Sequence, residues 1–93
     1  MIDLFEIYEY HYKDKKSGLG MVIYAREDET AQKILNICND TNGDDEWIPL
    51  KGRKFKKLIQ THRPPYELEQ EQEMVALKHL ERRKEYYVKK KGN

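Results

Sequence analysis

Ninety-three residues, 38% hydrophobic and 38% charged with a net charge of +1 and a mean hydropathy of −1.04, describe one small polar domain. No apolar run approaches the ~20 residues that a membrane-spanning helix needs. The start Met1-Ile2-Asp3-Leu4-Phe5-Glu6 is acidic where a secretory signal is basic and then apolar, so a cytoplasmic chain is expected.

The segment Ile2-Asp-Leu-Phe-Glu-Ile-Tyr-Glu-Tyr-His-Tyr12 is rich in aromatic and branched side chains and partly alternates, which predicts a strand. Lys13–Gly20 combines charge, Ser17 and two glycines that supply a positive φ at little steric cost. Met21-Val22-Ile23-Tyr24-Ala25 then resumes an apolar run, so an antiparallel hairpin over 2–25 is expected. Large apolar groups occur on both parities of the first strand. One sheet face is therefore expected to pack on helices, and the face carrying Tyr8, Tyr10 and Tyr12 to be half-buried with its hydroxyls reaching water.

Asp28 suits an N-cap, and Ala31, Ile34, Leu35 and Cys38 fall at i, i+3, i+4, i+7, which predicts an amphipathic helix over 28–39. Asp40–Asp45 is a block of turn formers. Glu46-Trp47-Ile48-Pro49-Leu50 is short and interrupted by a proline that cannot donate to a ladder, so it fits at most an edge strand. Phe55, Leu58, Ile59 and His62 keep helical spacing, which favours a short helix over an extended third strand, and Pro64-Pro65 stops either. Over 66–90 a long helix is expected, acidic in its first turns and basic in its last as the macrodipole prefers. At 100° per residue its broad apolar face carries Met74, Ala76, Leu77, Leu80, Tyr87 and Val88, and a second stripe carries Leu68, Val75, His79 and Tyr86. The fold class is thus α+β: an N-terminal antiparallel hairpin, a possible short third strand, a short helix and a long C-terminal helix in one domain over 1–93. A chain this short buries only about 60–65% of its unfolded surface, so its core is thin or completed by a second copy, and a homodimer is expected.

The net charge conceals a division. Residues 1–50 carry 5 basic and 11 acidic residues, net −6, and residues 51–93 carry 13 and 6, net +7. Part of that division is the dipole-matched last helix, whose Arg82-Arg83-Lys84 and Lys89-Lys90-Lys91 are weaker evidence of a binding site for that reason. What stands apart is the acid-free segment 51–63. Five cations in seven residues, Lys51, Arg53, Lys54, Lys56 and Lys57, repel one another unless anions lie nearby, and Arg63 follows. Nucleic-acid phosphate is the commonest such anion, and Trp47 and Phe55 flank the charges as possible stacking surfaces. The plainer reading is a solvated face whose lysine stems cover apolar surface, or cations that neutralise the acidic half of the same molecule.

Other chemistry is poorly supported. Asp40–Glu46 resembles a calcium loop only superficially, because its Gly43 falls at position 4 and position 12 is Lys51. His11, His62 and His79 lack zinc spacing, Cys38 lies on an apolar stripe, and no carboxylate spacing singles out a nuclease centre. No metal, cofactor or catalytic residue is expected. The expected function is a non-enzymatic accessory protein that binds nucleic acid through 51–63. The alternative is a protein-binding adaptor or inhibitor that uses the Tyr8/Tyr10/Tyr12 face or the Leu68/Val75/His79/Tyr86 stripe. The abundance of Lys, Glu, Tyr, Ile and Asn, residues with AT-rich codons, suits a low-GC bacterium or one of its phages.

Overall fold

A computed structural model describes residues 4–39 and 46–91, with side chains as far as Arg82. The order of elements is β1 (Phe5–Asp14), β2 (Gly20–Ala25), α1 (Asp28–Asn39), β3 (Trp47–Pro49), a 3-10 turn (Gly52–Lys54), β4 (Lys56–Thr61) and α2 (Pro65–Lys91). This is the expected α+β architecture.

The ten-residue β1 is the centre of an antiparallel sheet. Along one side β2 pairs with it from Tyr8↔Ala25 to Lys13↔Gly20. The other side is divided: β4 pairs with the first half, Phe5↔Thr61 to Tyr10↔Lys56, and β3 with the end, Tyr12↔Pro49 to Asp14↔Trp47. His11 marks the junction, where its N–H donates to the Phe55 carbonyl at 2.7 Å and its carbonyl accepts from the Leu50 N–H at 3.0 Å. The hairpin turn uses Gly18 at φ +76°, a conformation that a side chain there would strain.

Strand alternation puts Tyr8, Tyr10, Tyr12 and Asp14 on the face toward α1. The core forms there from Tyr10, Tyr12, Ile23, Ala25, Ala31, Ile34 and Leu35, all buried. The tyrosine face is therefore the helix-covered one. The expectation of hydroxyls reaching water fails at Tyr10, whose OH donates to Asp28 Oδ1 at 2.6 Å. Burial first, then the Asp28 carboxylate, pushes the Tyr10 hydroxyl up to about 12, and burial does the same for Tyr12. On the opposite face Ile7 is also buried, directly across from Ile59 of β4.

Two expectations about helices are corrected. Residues 56–61 form a strand, because the three-residue β3 covers only the end of the ten-residue β1 and the first half of that side needs another hydrogen-bonding partner. The apolar spacing at Phe55, Leu58 and Ile59 serves different surfaces: Phe55 packs edge-on against Tyr10 and Tyr12 with ring centroids 5.6 Å away, and Ile59 faces Ile7. In α2, Ala76 and Leu80 are buried as expected, whereas Met74 at 57% and Leu77 at 41% are exposed. The helix is turned to bring Glu69 and Gln72 onto the edge of β2 and Glu73 onto Lys33 of α1 at 3.1 Å. The expected core contributions of Tyr87 and Val88 lie outside the described side chains.

Candidate nucleic-acid interface

The basic segment folds so that its cations separate into two groups. Lys51 is extended, Gly52 at φ +66° redirects the chain, and Arg53 and Lys54 follow in the 3-10 turn. At the end of β1, Lys13 stands opposite Ile48 of β3. Together Lys13, Lys51, Arg53 and Lys54 line a cleft of about 670 Å³ floored by Ile48, Pro49 and Leu50. Among the described residues no carboxylate lines it, and all four cations are exposed. Four like charges around one concave surface focus a positive potential toward solvent.

The remaining cations of the segment lie outside the cleft. Lys56 Nζ donates to Asp28 Oδ1 at 2.7 Å and lies 4.3 Å from the ring centroid of Tyr8, on the core side of the sheet. Arg63 Nη2 donates to Glu71 Oε2 at 2.5 Å. Lys57 stands opposite Glu9, whose carboxylate also lies 3.3 Å from His11 Nε2. Of the six cations expected at the site, three therefore form the cleft. Lys13 was not among the expected residues, since its proximity depends on β3 pairing with β1. Its only sequence signal is its position in a lysine-bearing turn at the end of the first strand.

Trp47 is half-buried against the core cluster, and its N–H donates to Asn39 Oδ1 at 2.8 Å. Phe55 is likewise packed on that cluster. Neither ring lines the cleft.

The surfaces considered for protein binding also separate. Tyr10 and Tyr12 are closed within the core and the half-buried Tyr8 lies beneath Lys56, so the three rings do not form one open aromatic patch. Leu68, Val75 and His79, by contrast, line a groove of about 450 Å³ between α2 and the edge of β2, facing Met21, Val22 and Cys38. The Tyr86 side chain lies outside the described residues, as do Asp40–Asp45 of the calcium-like segment. Burial pushes the Cys38 thiol up, away from the thiolate that nucleophilic chemistry needs. Among the described residues no three His, Cys, Asp or Glu side chains are arranged to hold a metal ion, and no helix is long and apolar enough to cross a membrane.

No protein-family model, curated protein or solved structure matches the chain.

Proposed function

We propose that this chain is a non-enzymatic accessory protein that binds nucleic acid through the phosphates, using Lys13, Lys51, Arg53 and Lys54. The observation that carries the reading is the cleft itself, four exposed cations and no carboxylate among the described residues that line it. Phosphate contacts of this kind give non-specific affinities on the order of 10⁻⁴ to 10⁻⁶ M at physiological salt, and the logarithm of affinity falls by ~0.9 per phosphate contact for each decade of salt. Four contacts predict a slope of about −3 to −4 on duplex DNA.

Fluorescence anisotropy across a salt series tests this. Lys51→Ala/Arg53→Ala/Lys54→Ala is expected to reduce the slope to about −1. Lys56→Ala is expected to leave it unchanged, because Asp28 already neutralises that ammonium. Absence of binding at low salt overturns the reading.

The α2/β2 groove favours a second reading, an adaptor or inhibitor that seats an apolar side chain of a protein partner beside Leu68, Val75 and His79. Such a complex is expected to vary little with salt and to be lost on Val75→Arg.

A further inference from the structure

Resting on the nucleic-acid reading, we infer that the cleft takes a double-helical backbone and discriminates against single strands. Proteins that hold single strands combine a cationic groove with aromatic rings on which bases stack, each stacked base contributing about 1–3 kcal/mol. Here the two aromatic residues that bracket the basic segment are both turned inward. Phe55 lies edge-on to Tyr10 and Tyr12, and Trp47 packs on the same cluster with its backbone tied to Asn39. Among the described residues Tyr66 is the only exposed Phe, Tyr or Trp, and it lies in the first turn of α2, outside the cleft lining. The floor of Ile48, Pro49 and Leu50 has no π face to offer a base.

What the cleft retains is charge, and charge alone favours the denser polyanion. A duplex presents one phosphate per ~1.7 Å of axis, against ~3.4 Å for one strand. The lining also lacks the Asn and Gln side chains that read adenine edges.

The test is a titration of the full chain with a 20-base-pair DNA duplex, an RNA duplex of the same sequence and each component single strand, at one low salt concentration. Trp47, the only tryptophan in the sequence, is the second reporter. Duplex binding about ten-fold tighter than single-strand binding, with Trp47 emission unchanged by either strand, is the expected result. Comparison of the two duplexes distinguishes B-form from A-form as the preferred source of phosphates. Single-strand affinity equal to or above that of both duplexes, or quenching of Trp47 by single strands, overturns the inference while leaving nucleic-acid binding in place. No binding to any of the six ligands removes the underlying reading as well.

Discussion

Asp28 is suited by residue type to cap α1, yet its carboxylate accepts from Tyr10 and Lys56 instead, joining the first helical residue to β1 and β4. Lys56, then the Tyr10 hydroxyl, hold that carboxyl below the usual range. Asp14 does comparable work at the other end of β1. One oxygen accepts from the Ser17 hydroxyl at 2.7 Å and the Ser17 N–H at 3.1 Å, the other from the Glu46 N–H at 3.0 Å, so a single buried carboxylate fixes both the hairpin turn and the entry to β3. These bonds, led by the Ser17 hydroxyl, hold its carboxyl down to about 2 from an ordinary 3.8. Because the folded value is the lower one, the stabilisation is complete above about pH 4 and disappears as pH falls toward 2. Asp14→Asn is therefore expected to melt below the wild type at pH 6, with the difference narrowing between pH 4 and pH 2. Thermal melts across that range check it, and a constant difference would refute the assignment.

The elements are joined by side chains that imitate strands. Along the outer edge of β2, Gln72 of α2 accepts from the Tyr24 N–H at 2.6 Å and donates to the Tyr24 carbonyl at 2.6 Å, and Glu69 accepts from the Arg26 N–H at 2.9 Å. Burial raises the Glu69 carboxyl, but the Arg26 guanidinium at 2.8 Å and the Arg26 N–H outweigh it and leave it below the usual range. Asn39 at the end of α1 makes a similar two-way contact with the backbone of Trp47. Exposed sheet edges invite pairing with other chains, and covering them with a helix is a common remedy. Gln72→Ala leaves both Tyr24 groups unpaired, with an expected loss of about 1–2 kcal/mol in chemical denaturation, since each partly buried orphan costs on the order of 1 kcal/mol. A change below a few tenths would show that water replaces the amide. None of this is legible from hydropathy. Glu69 and Gln72 read as solvent-facing residues, and only the placement of α2 beside an open strand edge gives them partners.

At the scale of the molecule, one small core carries the fold. Leu35, 4% exposed between α1 and the sheet, is expected to lose about 2–4 kcal/mol on Leu35→Ala. Met74→Ala is expected to stay within about 0.5 kcal/mol, because that side chain is mostly in water. Equilibrium unfolding of the two variants checks both, and equal losses would mean that α2 presents its other face. The hairpin, α1 and α2 were legible because each is written in local pattern: alternation, four apolar residues at helical spacing, and charges matched to a helix dipole. Residues 56–61 were misread because Phe55, Leu58 and Ile59 satisfy a helical period although Phe55 precedes the strand and packs on Tyr10 and Tyr12, while Leu58 and Ile59 alternate between its two faces. The candidate site was half legible for the same reason. Composition located Lys51, Arg53 and Lys54, whereas adding Lys13 and setting aside Lys56 and Arg63 required knowing which carboxylates lie nearby. The amino-acid sequence by itself determined the α+β class, three of its principal elements and the acid-free character of 51–63, all properties of neighbours along the chain. Tertiary structure alone decided which cations remain open, which aromatic rings are closed into the core and which helix face is wet, because each depends on pairings between residues far apart in sequence.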